Sequence, residues 1–340
     1  RSLSGSGRLS PDRCGWSMIV PMRYWIVVIS ALVLLAACAE DEDRRLEGRP
    51  GGPYRLTLQL DPGAPRPGEE TQFNFQLTHT QSGRPVRELQ LAHERLMHHF
   101  IVNLDFSSFA HVHHEDFHPF TDSDRTETRV RFPYRFPKAG HYRIVSEFAH
   151  QDRLWTKHFD IEVGAPGPVA SVPVDSARAR RFGDYTATLR VSPQTPVAGY
   201  ETELVLEIQR DGAPVTDLEL YLGSELHAAV WRDDGKYFGH LHSHTPRVAA
   251  IIELAHDRGI EPALRGARIA EMLVQLMCLD AELVFSGPTI PMRYVFPEPG
   301  RYHLFLQAAP KGEPELFQFV VDAVPFVEGI DTTMHPLSDL

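Results

Sequence analysis

Tyr54-Arg-Leu-Thr-Leu-Gln-Leu60 alternates apolar and polar residues, as do Gln72-Phe-Asn-Phe-Gln-Leu77 and Arg143-Ile-Val-Ser-Glu-Phe148, with Pro, Gly and Asp clusters between such runs. A period of two sends successive side chains to opposite faces of the backbone, which is the pattern of a strand with a buried side. Short strands punctuated in this way over about 110 residues predict an antiparallel sandwich of immunoglobulin-like type. The fold class is all-β.

The pattern is written twice. Tyr54-Arg-Leu-Thr-Leu followed by Pro67-Gly-Glu-Glu-Thr71 is echoed by Tyr185-Thr-Ala-Thr-Leu followed by Ala198-Gly-Tyr-Glu-Thr202. Gly83, Pro85, Val86, Leu89, Leu91, His98, Phe109, His111 and His113 return as Gly212, Pro214, Val215, Leu218, Leu220, His227, Phe238, His240 and His242, at a constant offset of 129 residues. Phe136-Pro-Lys-Ala-Gly-His-Tyr142 matches Phe296-Pro-Glu-Pro-Gly-Arg-Tyr302, and each segment reads as a corner pinned by its tyrosine. Two tandem sandwiches follow, expected over 54–164 and 184–323, joined by a semi-rigid Pro/Gly linker over 165–183 and followed by a tail, 324–340. The second copy carries an insertion, 245–288, in which Val248 to His256 and Ala263 to Leu279 have helical spacing broken by Gly259 and Pro262. A helical hairpin over one end of the second sandwich is the expectation.

Residues 1–37 read as an upstream segment and an export signal. Arg23 and the apolar run from Trp25 to Leu35 are too short for a comfortable membrane span and fit a secretory h-region. Leu35-Ala-Ala-Cys38 resembles the lipobox of bacterial lipoproteins, which implies lipid on the sulfur and amine of Cys38, an acidic tether over 38–53 and membrane attachment in the bacterial envelope. Ala39 after the cysteine resembles the outer-membrane sorting pattern of diderms. The segment before Met18 or Met22 reads as translated from upstream of the start, which leaves Cys278 as the unmodified cysteine and predicts no intramolecular disulfide. A net charge of −11 argues against nucleic acid and against electrostatic binding to anionic lipid.

The chemistry lies in the histidines. His111 and His113 are two apart on a predicted strand and share a face, as do His240 and His242, and antiparallel pairing brings His98 and His227 to them. Three imidazoles with a fourth position open suit zinc or copper(II), and Met97 beside His98 offers a soft donor for copper(I), with His99 as a further ligand. His93, His114, Glu115 and His118 are additional candidates in copy one and His244 in copy two, whereas His141, His150, His158, His303 and His335 have no counterpart across the copies. His114-Glu-Asp-Phe-His118 spells a zinc-protease string, but that motif needs a helix, and Pro119 and the strand before it oppose one.

The set Met97-His98, Val102, Asp105, Phe109, His111, His113 and Phe136 to Tyr142 resembles a group of bacterial exported lipoproteins akin to YtkA-like and other immunoglobulin-like periplasmic domains. That resemblance implies copper or heavy-metal handling. The expected function is a lipid-anchored receptor or buffer for copper or zinc, with one three-histidine site per domain and an envelope metal-handling protein as partner. The alternative is a structural or interaction lipoprotein without bound metal. A metalloenzyme using Asp105 or Glu115 as general base is the third reading, although no Gly-x-Ser-x-Gly or phosphate loop is present, and the expectation is that the protein is not an enzyme.

Overall fold

The computed structural model describes residues 45–47, 52–151, 153–167, 176–243 and 287–334. The export signal with Cys38, Cys14, Cys278, His244, His335 and the predicted helical insertion lie outside the described residues. Among the described residues no helix is long and apolar enough to cross a membrane.

The first sandwich is built from β1 (Arg45–Glu47), β2 (Tyr54–Asp61), β3 (Glu70–His79), β4 (Met97–Asn103), β5 (Phe109–Val112), β6 (Arg129–Arg135), β7 (Gly140–His150) and β8 (Arg153–Val163), with a short helix α1 (Asp122–Glu127) before β6. One antiparallel sheet runs β1-β2-β3-β6 and the other β5-β4-β7-β8. The second sandwich repeats the plan with β9 (Ala179–Phe182), β10 (Tyr185–Ser192), β11 (Glu201–Arg210), β12 (Ala213–Pro214), β13 (Leu218–Glu219), β14 (His227–Arg232), β15 (Phe238–His242), β16 (Thr289–Val295), β17 (Gly300–Pro310) and β18 (Glu315–Ala323). Strands β9, β10, β11 and β16 form one of its sheets, and β15, β14, β17 and β18 the other. The architecture is two tandem immunoglobulin-like sandwiches.

Strand β2 shows the ordinary one-sided pattern, with Tyr54, Leu56, Leu58 and Leu60 turned into the core. Strand β4 is different, because all its residues are buried. Met97 and Ile101 belong to the core of the first sandwich, while Phe100 and Val102 belong to another apolar cluster with Phe106, Val145, Ala229, Trp231 and Phe305. That cluster draws on both sandwiches. Sheet β5-β4-β7-β8 therefore has a second buried face, which packs on its counterpart β15-β14-β17-β18.

Equivalent positions exchange size across this contact. Phe100 corresponds to Ala229, Val102 to Trp231 and Val145 to Phe305, so each large side chain in one copy has a small counterpart in the other. Phe109 stacks on Phe305 with ring centroids 4.5 Å apart, and its counterpart Phe238 lies 5.0 Å from Phe100. Gln318 Nε2 donates to Phe106 O across the contact at 2.7 Å, and the Arg143 guanidinium donates to Gly235 O. Each sandwich also closes its own corner: Tyr142 Oη donates to Lys138 O at 2.9 Å and Tyr302 Oη to Glu298 O at 2.7 Å.

Trp231 is fully buried in the shared cluster. Trp231→Ala should lower stability by about 3–5 kcal/mol through transfer and cavity costs. Urea unfolding checks this, and a loss below about 1 kcal/mol would mean that this face is not a packed core.

Candidate metal centre

The triad of the first sandwich follows from strand parity and register. Phe100 pairs with His111 across β4 and β5, so the residue two before Phe100, His98, and the residue two after His111, His113, lie side by side on the same face. His98 Nδ1 lies 3.0 Å from His111 Nε2, His113 Nε2 lies 3.0 Å from His98 Nδ1, and His113 Nε2 lies 3.0 Å from His111 Nε2. Three nitrogens form an equilateral triangle.

Their outer nitrogens each meet an oxygen. His98 Nε2 faces Ala92 O at 2.8 Å, His111 Nδ1 faces Gln307 Oε1 at 3.0 Å, and His113 Nδ1 faces Asp116 Oδ2 at 2.9 Å. Each of these partners is an acceptor, so each imidazole donates outward, and a neutral imidazole has one N–H. With all three rings in that neutral form, the inner nitrogens are bare lone pairs aimed at one another. A cation resolves that repulsion, and outward hydrogen bonds of this kind are what orient metal-ligating histidines. Tetrahedral ligands at about 2.0–2.1 Å from zinc stand about 3.3 Å apart, so the triangle fits with a shift of a few tenths of an ångström.

The second triad repeats the design. His227 Nδ1 lies 3.4 Å from His240 Nε2, and the ligand atoms of His227, His240 and His242 all lie within 4.8 Å of one another. His227 Nε2 donates to Tyr221 O at 2.8 Å, the same six-residue reach as His98 to Ala92. Both carbonyls open a tight turn with two left-handed residues, His93 and Glu94 in one copy and Leu222 and Gly223 in the other. His242 Nε2 is buried with no hydrogen-bond partner, a donor atom free for a ligand.

The sandwiches support each other's triads. His111 Nδ1 donates to Gln307 of the second sandwich, and the equivalent His240 Nδ1 donates to Glu147 Oε2 of the first at 2.9 Å. Glu147 and Gln307 are themselves equivalent, each paired in register with the first histidine of its own triad, His98 and His227. The triads consequently adjoin: ring centroids are 5.6 Å apart for His98 and His240, 5.7 Å for His111 and His240, and 5.9 Å for His111 and His227. His93 fills the seam, stacked on His242 at 3.6 Å and 5.7 Å from His227. Each domain carries its three-histidine site as expected, and the two sites lie side by side as one histidine nest between the domains.

Burial governs the electrostatics. It pushes His98, His111, His240 and His242 well below the ordinary histidine range, His227 to about 3 and His93 to about 4, with the neighbouring imidazoles adding to the effect for the triads. These rings are neutral at pH 7 and available as ligands. Burial also raises Glu147 to about 7, against a hydrogen bond from Thr156.

Two expected ligands are excluded. Met97 and His99 flank His98, so the same alternation that aims His98 at the nest turns them into the core of the first sandwich. Met97 is 1% exposed there, and His99 stacks on Phe75 at 4.3 Å with Nδ1 2.9 Å from Ser146 Oγ. The zinc-protease string makes one 3-10 turn, His114–Asp116, and not an α-helix. Within it His114 Nδ1 accepts from Arg131 N at 3.0 Å, and Glu115 Oε1 accepts from Leu96 N at 3.0 Å. Asp105 is taken up by Lys138 and Ser107. His150 meets Tyr54 Oη at 2.6 Å, and His303 stacks on Phe106 at 3.9 Å. The supports Glu147 and Gln307 were missed, although each stands five residues past its corner tyrosine as a polar residue in an apolar strand.

A family model described as "Domain of unknown function (DUF8832)" matches residues 51–165 and again 180–325, and the chain belongs to that family with two copies. No curated protein matches. Among solved structures, the Escherichia coli adhesin FdeC is similar at 10% identity and a TM-score of 0.22, over 83% of this chain and 66% of that one. The Yersinia pseudotuberculosis adhesin InvE is similar at 10% identity and a TM-score of 0.21, over 78% and 58%. The fibronectin(III)-like modules of Clostridium thermocellum CbhA are similar at 9% identity and a TM-score of 0.18, over 79% and 94%. The chain thus spans less than two thirds of each of the two adhesin chains.

Unfolding frees the buried imidazoles to titrate near 6.5, above their folded values, so the unfolded chain binds more protons and stability falls as pH drops from about 6.5 towards 3. For His227 alone, held at about 3, the loss between pH 7 and pH 5 is about 2 kcal/mol; Glu147, raised to about 7, opposes it by a similar amount, so the net loss comes from the other lowered histidines. Urea midpoints of metal-free protein at the two pH values should differ accordingly, and equal midpoints would contradict the buried, neutral nest.

Proposed function

We propose that this protein binds copper or zinc ions through His98, His111, His113, His227, His240 and His242, and buffers or delivers them in the bacterial envelope. The observation that carries this reading is the first triad: three imidazole nitrogens 3.0 Å apart, each with its other nitrogen on an acceptor. A surface histidine that senses pH has no need of that convergence. Nor does a structural histidine gain from facing two more lone pairs.

The donor set is all imidazole. With Met97 in the sandwich core, the soft donor that would favour copper(I) is gone, and zinc or copper(II) is the better match. Asp105 and Glu115 are engaged elsewhere, which supports binding rather than hydrolysis. Attachment to the membrane through lipid on Cys38, with the tether over 38–53, is part of the proposal and rests on the lipobox resemblance. An envelope metal-handling protein is the partner that delivery requires.

Elemental analysis after dialysis of the exported chain, from residue 39 onward, against copper or zinc tests the reading. Wild type should retain ions that a chelator removes, and the double substitution His111→Ala with His113→Ala should lose the first-triad ion while remaining folded by circular dichroism. Metal content unchanged by the double substitution would contradict it. No retained metal in wild type would favour the interaction lipoprotein.

A further inference from the structure

Resting on this metal-binding reading, we infer that the two triads act as one binuclear centre, holding two ions close enough to share a small anion such as hydroxide. The spacing of the rings carries the inference. Between triads the nearest centroids are 5.6, 5.7 and 5.9 Å apart. Within the triads they are 5.3, 4.8 and 4.4 Å apart in the first and 5.7, 4.6 and 4.5 Å apart in the second. The gap between the sites is therefore hardly wider than a site.

Charge defines the ligand. Among the described residues, the carboxylates that touch triad imidazoles are Asp116 at His113 and Glu147 at His240. Two dications in a buried seam repel strongly in so low a dielectric, and two carboxylates acting through imidazole rings offset only part of their charge. Each triad supplies three of four tetrahedral positions. An anion between the ions occupies the open position of each and lowers the repulsion. Hydroxide forms when a bound water releases a proton to solvent, with no redox partner needed.

His93 closes the nest. It lies 6.2 Å from His98 in one triad and 3.6 Å from His242 in the other. Its φ of 47° is left-handed, a conformation that is uncommon for a residue other than glycine. Leu222, its equivalent, adopts the same turn at φ 49° and is 5% exposed. The turn is thus common to the two copies, and in the first it places the His93 ring against both triads.

Copper(II) titration of wild-type exported chain, followed by electron paramagnetic resonance, tests the proposal. The expected result is two ions per chain. At full loading the spectrum should show dipolar broadening, a half-field transition and an integrated intensity below the copper found by elemental analysis. The single substitutions His113→Ala and His242→Ala should each restore the spectrum of an isolated ion. Two ions giving additive, uncoupled spectra would overturn the binuclear centre while leaving metal binding intact, as would a single ion per chain. Absence of any bound ion would instead remove the metal-binding reading, and this inference with it.

Discussion

Three imidazole lone pairs pointed at one another cannot be an equilibrium arrangement of neutral side chains on their own. In this protein they are held there by acceptors behind them: a carbonyl at Ala92, an amide oxygen at Gln307 and a carboxylate at Asp116. Each acceptor fixes a proton on the outer nitrogen and so bares the inner one. The local cost is borne by the fold, because strand register sets the backbone positions and the shared core between the sandwiches holds the second wall. The shape of the site, three nitrogens at the corners of one triangle, follows from that constraint.

Duplication explains why the wall is available. A sheet that carries apolar residues on both faces must cover the outer one, and a second copy of itself is a ready cover. The two sheets meet with equivalent elements exchanged, so that His111 takes its support from Gln307 and His240 from Glu147. The copies have since diverged in size at the contact, as Phe100 against Ala229 and Val102 against Trp231 show. Divergence of this kind keeps total volume while making the two halves interlock in one way. It also ties the geometry of each triad to domain packing, since each sandwich supplies a hydrogen-bond acceptor to the other's triad.

Alternation in Tyr54 to Leu60 and its echoes was enough for the sandwiches, and the unbroken offset of 129 residues for the two histidine triads. Strand parity should also have removed Met97 and His99, because neighbours of His98 on a strand face the other way. What parity cannot reveal is where the exposed face of one domain meets the next. Adjacency of the two triads depends on packing between residues of different domains, such as His98 and His240 or His111 and Gln307, and no local pattern encodes it. A weaker trace was present: His98, Phe100 and Val102 make β4 apolar or aromatic on both faces, unlike β2, and a strand buried on both sides needs a third layer.

Anomalous scattering tests most directly whether cations occupy the triads. Crystals grown with zinc or copper and measured at the metal edge should give one peak about 2.0–2.2 Å from His98 Nδ1, His111 Nε2 and His113 Nε2, and a second against His227, His240 and His242. Peaks confined to surface histidines such as His118 or His141, with the triads empty, would contradict it.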